Sequence, residues 1–178
     1  MTETKNLQNI EVIPPKHTQT SEHLMEISPK AHIGKRAEAL ALQCVLDKGF
    51  DAAMCQIGSI DIVGIYDFRL SSFQVKGTAT YTKDKRKING YQKSFQFNLV
   101  SRNYNYTGAG KTMHYHQHAF DYYVFVALPI KTCIFMRKQD VVAKHKMSFT
   151  SEFFKTYANE LVSKEQINEY GSKGRIYK

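Results

Sequence analysis

A chain of 178 residues has room for one domain with a modest core. A 42% hydrophobic and 12% aromatic content argues against a disordered polymer. Lysine and arginine number 25 against 16 acids, a formal net charge of +9. This excess favours a polyanion, nucleic acid before an acidic membrane surface, with plain solubility charge as the bland alternative.

Residues 1–28 are polar, contain Pro14-Pro15 and show no apolar period, so they read as a flexible arm. They lack a signal-type apolar block, and no run of about 18 apolar residues follows. Cys44, Cys55 and Cys133 are isolated, with no CxxC spacing, which suits a reducing compartment and thiols used as small core residues. The expectation is a soluble, cytoplasmic protein that engages no membrane.

Ser28-Pro29 looks like a helix start, and Ala37, Leu40, Ala41, Cys44 and Val45 recur at helical spacing up to a closing Gly49. Gly34 and Glu38 lie one turn apart on that helix. Residues 50–58 follow as a first strand. Gly58 to Gly77 reads as a β-hairpin: Ile60, Ile62, Val63, Ile65 and Tyr66 on one arm, Phe73 and Val75 on the other, and a polar loop of Arg69, Ser71 and Ser72 between them. Residues 81–93 form a basic connection with an Asn89-Gly90 turn signal. Phe95, Phe97 and Leu99 alternate as a half-buried strand, and residues 102–118 read as a long polar loop rich in Tyr, Gly and His. Phe120 to Ile130 is the clearest core strand, paired with Thr132 to Arg137 through a bend at Pro129. Phe153, Tyr157 and Leu161 suggest one more helix, and the chain from Ile167 reads as a ragged tail.

The hairpin carries the chemistry. Gln74 and Lys76 are two residues apart and share a strand face, with Val75 on the other. Asp61 sits on the partner arm. A carboxylate, an amide and an ammonium converging on one sheet face is a costly arrangement unless a metal ion and a phosphate sit there. Asp67, nearer the turn, is a rival carboxylate that a tight hairpin would bring close to Gln74; its bland reading is a turn-initiating residue. For the whole constellation the bland reading is a surface hairpin with an ordinary Asp and Lys.

The order GKRAEALALQCVLDKGF, then IDIVGIYDF, then FQVKG resembles the PD-(D/E)XK nuclease superfamily, in the QxK branch related to group I intron-encoded homing endonucleases. The similarity covers roughly residues 30 to 140. It implies an α/β fold, a restriction-endonuclease-like core with a central mixed β-sheet flanked by helices. The division implied is an arm over 1–28, a nuclease domain over 29–148, and a helical appendage and tail over 149–178. The activity implied is Mg²⁺-dependent DNA endonuclease action, with Mn²⁺ as a substitute, leaving 5′-phosphate and 3′-hydroxyl ends. Glu38 falls at the family's helix-borne acid, Asp61 at its invariant aspartate, and Gln74 and Lys76 at its (D/E)-x-K positions. Ile60 replaces a proline, and Gln74 replaces an acid, which removes one negative charge from the site. The metal set is then Glu38, Asp61, Gln74 and the Val75 carbonyl, a sufficient oxygen set for Mg²⁺ beside waters and phosphate. Lys76 would orient or deprotonate the attacking water, or neutralise charge on the phosphate; two nearby carboxylates should keep it protonated, which favours the electrostatic role. Cutting both strands of duplex DNA requires two active sites, hence a homodimer or homotetramer. A non-catalytic DNA-binding protein on the same fold, or a Holliday-junction resolvase, are the alternative readings.

Lys83, Lys85, Arg86, Lys87 and Lys93, interleaved with Tyr81 and Tyr91, leave the Gln-x-Lys strand directly and are candidate DNA contacts, with Arg102 and Lys111 beside them; a solvated charge run is the alternative. TGAGKT at 107–112 lacks the first glycine of a phosphate loop, since Asn105 stands there, so a basic loop on the DNA backbone is preferred to nucleotide binding. His114, His116 and His118 alternate and would share one face if extended; solvated or phosphate-contacting histidines are preferred to a transition-metal site.

Overall fold

The computed structural model describes residues 29–83, 93–103, 111–116 and 118–173. The N-terminal arm and the basic residues Lys85, Arg86 and Lys87 lie outside the described residues. Helix α1 spans Pro29–Asp47. Its buried stripe is Ala37, Ala41, Cys44 and Val45, the face the spacing predicts. The helix ends where Gly49, at φ 85°, donates its N–H to the Leu46 carbonyl at 2.8 Å, a conformation that glycine adopts without a Cβ clash.

Strands β1 (Asp51–Ile57), β2 (Ile60–Tyr66) and β3 (Arg69–Thr78) then form an antiparallel meander. The β2–β3 turn is shorter than the predicted polar loop. Only Asp67 (φ 49°) and Phe68 (φ 58°) make it. Two successive left-handed residues match the strand twist, so Arg69, Ser71 and Ser72 sit in the ladder opposite Tyr66, Gly64 and Val63.

β3 is the hinge of the sheet. It pairs with β2 as far as Ile62↔Phe73, and from Phe73 to Thr78 it runs parallel to β8 (Tyr122–Ala127). Ser72 and Asp121 lock the start of that junction: the Ser72 N–H and hydroxyl both donate to Asp121 Oδ2, at 2.8 and 2.7 Å. β8 returns through a 3₁₀ turn at Leu128–Ile130 into antiparallel β9 (Thr132–Arg137). The order β1-β2-β3-β8-β9 makes a mixed central sheet.

One face of this sheet is covered by α1, over Ile62, Phe73, Val75, Val124, Val126, Cys133 and Phe135. A Cβ at Gly77 would overlap that of Ala37, so glycine is what lets α1 lie this close to β3. The Cys44 and Cys133 sulfurs meet in this layer; the sequence predicts separate thiols, since nothing local signals a contact between residues 89 apart. The other face is aromatic. A second sheet, β10 (Lys146–Thr150), β5 (Lys93–Asn98) and β4 (Thr82–Lys83) in that order, packs Phe95, Phe97 and Phe149 against Tyr123 and Phe125.

The C-terminal part differs from the expectation of one helix over 153–161. α2 (Ser151–Thr156) stops after six residues, Asn159 takes φ 60°, and Leu161 forms a parallel bridge with Phe135. The predicted tail from Ile167 is, as far as Lys173, helix α3 (Lys164–Lys173). Ser163 and Gln166 cap it reciprocally: the Ser163 N–H donates to Gln166 Oε1 at 2.8 Å, and the Gln166 N–H to Ser163 Oγ at 3.3 Å. Phe153, Phe154, Val162 and Ile167 are buried in the aromatic core, so the elements beyond β10 share the core of the central sheet. The predicted polar loop at 102–118 contains a ribbon, β6 (Ser101–Asn103) paired with β7 (Lys111–Met113). Among the described residues, no helix is long and apolar enough to cross a membrane.

Candidate active site

Beyond the Ile62↔Phe73 pair, β2 and β3 part company, while β3 continues beside β8 on its opposite edge. Asp61 stands in the opening. Its Oδ2 accepts the Val75 N–H at 2.7 Å and the Gln74 side-chain amide. The carboxylate thus supplies the acceptor that a buried strand N–H requires at the place where the ladder stops. Gln74 is 7% exposed, the one buried polar side chain among the described residues; its amide also donates to the Val75 carbonyl at 3.3 Å.

Lys76 lies on the Gln74 side of β3, as the two-residue spacing predicts. Its ammonium donates to Tyr115 Oη at 2.6 Å and lies 4.6 Å from the centre of the Tyr115 ring. Tyr115 packs edge-on to Phe120 at 5.2 Å and to Tyr123 at 6.4 Å. Tyr123 is the register partner of Gln74 across the parallel junction, and burial pushes its phenol well above the usual range. Glu38, half-buried on α1, follows Ala37, the residue seated on Gly77.

The electrostatics are those of charges short of water. Burial is the main reason Asp61 is raised from 3.8 to about 6; the Val75 N–H opposes the rise, Glu38 adds to it, and Lys76 and Gln74 oppose it more weakly. Burial also lowers Lys76 from 10.5 to about 8, against the pull of Asp61. The sequence reading expects the carboxylates to govern Lys76. Desolvation governs it instead, although the ammonium form still predominates at neutral pH.

The rival carboxylate is displaced by the turn geometry. Asp67 occupies the exposed hairpin tip, whereas it is Asp61 that meets Gln74. Of the expected DNA contacts, Lys83 and Lys93 are register partners on β4 and β5, so the basic connection leaves and re-enters on one rung. Arg102 and Lys111 lie on the β6–β7 ribbon, opposite Thr112 and Asn103. Lys111 and Thr112 run along a strand, whereas a phosphate loop leads into a helix. The three histidines do not share one site: His114 packs on His145 at 4.9 Å, and His116 faces His118 at 5.8 Å. Among the described residues, no group of three or more His, Cys, Asp or Glu is disposed to hold a metal; the set at Asp61 includes only two carboxylates, and amide and carbonyl oxygens would have to complete it.

That set fits a hard cation in part. Carboxylates such as Asp61 and Glu38 are the donors that Mg²⁺ prefers, and a cation would relieve the Asp61 anion that burial disfavours. Gln74 fits only after its amide turns over, because its NH₂ group faces Asp61. Tyr115 is the residue the sequence reading missed. Its contact with Lys76 spans 39 positions, and its only local signal is an aromatic alternating with histidines.

No family model matches the sequence, and no curated protein matches it. The fold, however, has a solved counterpart. A bacterial homing endonuclease, I-Ssp6803I, superposes with a TM-score of 0.55 over 83% of this chain and 99% of its own, at 12% sequence identity. The chain is a mixed α/β protein whose central mixed sheet, flanked by helices, is similar in fold to a homing endonuclease.

Proposed function

We propose that the chain is a Mg²⁺-dependent DNA endonuclease of the PD-(D/E)XK type, with Glu38, Asp61, Gln74 and Lys76 as its active site. The observation that carries this reading is the opening between β2 and β3. There a half-buried carboxylate, a buried amide and a desolvated lysine converge, within a fold similar to that of a homing endonuclease. Asp61 and Glu38, with the Val75 carbonyl and a turned Gln74 amide, would hold the ion. Bound there, Mg²⁺ would polarise the scissile phosphate and activate a water. The water oxygen bonds to phosphorus, the P–O3′ bond breaks, and the 3′ oxygen leaves with a proton, giving 5′-phosphate and 3′-hydroxyl ends. Lys76 orients the water and offsets charge on the phosphate oxygens. Duplex DNA is the partner, gripped by the basic connection and the β6–β7 ribbon. A homodimer or homotetramer supplies the second active site, and the compartment is the cytoplasm.

One observation favours a second reading, a non-catalytic DNA-binding protein. Asp61 already satisfies a backbone N–H and the Gln74 amide, so a purely structural carboxylate would sit the same way. Incubating the protein with Mg²⁺ on linear, branched and supercoiled DNA separates the two. Binding without cutting on all three substrates would establish the second reading, and cutting confined to branched DNA would mark a junction-specific nuclease.

A further inference from the structure

One hydrogen bond, to Tyr115, holds the Lys76 ammonium. The Tyr115 hydroxyl oxygen accepts its N–H at 2.6 Å, which sets a direction. The ammonium lies 4.6 Å from the ring centre, beyond the hydroxyl, a distance that this hydrogen bond by itself implies. A lysine has a flexible stem and three rotatable donors, so an ammonium without such a contact samples many positions. The tyrosine is itself held: Phe120 and Tyr123 pack on its ring, and Tyr123 pairs in register with Gln74. Tyr115 is therefore anchored in part by Tyr123, on the strand that runs beside Gln74. Phenylalanine would fill the same space against Phe120 and Tyr123, so packing alone does not call for the hydroxyl.

We propose that Tyr115 is the positioning residue for Lys76: its hydroxyl aims the ammonium along β3 toward the Asp61 opening, where the reacting phosphate sits. The inference rests on the nuclease reading and deepens it. Tyr115 acts through Lys76 and does not itself touch the substrate.

Tyr115→Phe tests this, because it deletes the hydroxyl and keeps the ring. Under single-turnover conditions, with saturating Mg²⁺ and duplex, the cleavage rate is expected to fall on the order of tenfold or more, the usual weight of a hydrogen bond to a charged group. Duplex affinity should match wild type, and the thermal midpoint should fall by a few degrees at most, because the desolvated ammonium loses an acceptor. In protein carrying nitrogen-labelled lysine, the Lys76 Nζ resonance should be displaced. Tyr115→Leu, which removes the ring as well, should lose more rate. A Tyr115→Phe rate within twofold of wild type overturns the inference. So does a rate loss matched by an equal affinity loss, since Tyr115 would then be a DNA contact. Failure of the wild-type protein to cut any DNA would overturn the nuclease reading instead. The resonance then decides alone: displaced if Tyr115 holds the ammonium, unmoved if it does not.

Discussion

The β2–β3 hairpin has two ends built on opposite terms. At the turn end the ladder is complete through Tyr66↔Arg69, Asp67 is exposed, and the apolar side chains Ile65, Phe68 and Leu70 face water, Leu70 being 70% exposed. At the other end the ladder stops, and Asp61, Gln74 and Lys76 are drawn out of water instead. Apolar groups are wet where the backbone is regular, and polar groups are dry where it opens. Each aspartate illustrates the point: Asp67 does what local turn chemistry asks, while Asp61 bears a burial penalty that only a non-local partner offsets. Violations of the local rules mark functional sites, and the buried end has the more expensive one.

The largest expected effect separates the two aspartates. Asp61→Asn should lower Mg²⁺-dependent cleavage by about a thousandfold or more while leaving duplex binding within roughly tenfold. Asp67→Asn should leave cleavage within about twofold. Asp61→Ala should also destabilise the fold by about 1–3 kcal/mol, because the Val75 N–H loses its acceptor, whereas Asn retains one. A gel assay of the three variants, with urea melts beside it, checks both halves. Full cleavage by Asp61→Asn would move the chemistry away from the opening.

Gln74 sharpens the comparison next, because the structure gives its amide a definite facing. Its NH₂ group donates to Asp61. In Gln74→Glu that donor is replaced by a second carboxylate against Asp61, so the metal-free protein should melt several degrees lower at pH 8. If the position is a metal ligand, Mg²⁺ should restore the melting point and half-maximal cutting should need less Mg²⁺; Gln74→Ala should need much more. A Gln74→Glu protein that stays destabilised and inactive at saturating Mg²⁺ would show that Gln74 serves as a donor to Asp61 and not as a ligand.

Much of this fold is legible in the sequence because its signals are local. α1 declares itself by the spacing of Ala37, Ala41, Cys44 and Val45, and β8 by an unbroken apolar run. The Asp61, Gln74 and Lys76 grouping follows from the two-residue period once the hairpin is recognised. What escapes notice is set at long range. β10 offers only Met147 and Phe149, whose meaning comes from their partners Phe97 and Phe95. The short α2 is ended by the chain's return to pair with Phe135, which the spacing of Phe153, Tyr157 and Leu161 does not foretell. α3 is mostly polar, yet Ser163 and Gln166 spell a capping box that was there to be read. The depressed pKa of Lys76 comes from burial, which no charge count along the chain reveals.

A third test breaks the comparison by pH. Asp61 is raised to about 6 in the fold against about 3.9 in the unfolded chain. The native state therefore keeps this proton longer, and the stability it contributes is full below about pH 4 and lost as pH rises through 6. Lys76, lowered to about 8, contributes stability above its unfolded value of about 10.4 that is lost as pH falls through 8. Between 6 and 8 both buried charges are present and both penalties apply. Metal-free Asp61→Asn should thus match wild type near pH 4 and exceed it by about 1–2 kcal/mol at pH 7.5, the full shift being discounted for partial exposure. Urea midpoints at the two pH values measure it. An equal difference at both would mean that Asp61 does not titrate in this window.

The smallest effect lies at the hairpin tip and runs the other way. Phe68 is fully exposed and holds φ 58°, a conformation that costs a residue with a Cβ about 1–2 kcal/mol. Glycine adopts it freely but adds backbone entropy to the unfolded chain, which takes back about 0.5–1 kcal/mol. Phe68→Gly should therefore stabilise the protein by up to about 1 kcal/mol, since an Asp-Gly pair is a favoured two-residue hairpin turn. If the two ends of the hairpin are independent, the same variant should cut DNA at the wild-type rate, because the ladder between tip and opening is intact from Tyr66↔Arg69 to Ile62↔Phe73. A more stable Phe68→Gly protein with weakened duplex binding would mean that the strained, wet phenylalanine is retained for contact with DNA. A less stable one would mean that the tip conformation is set by packing and not by the turn.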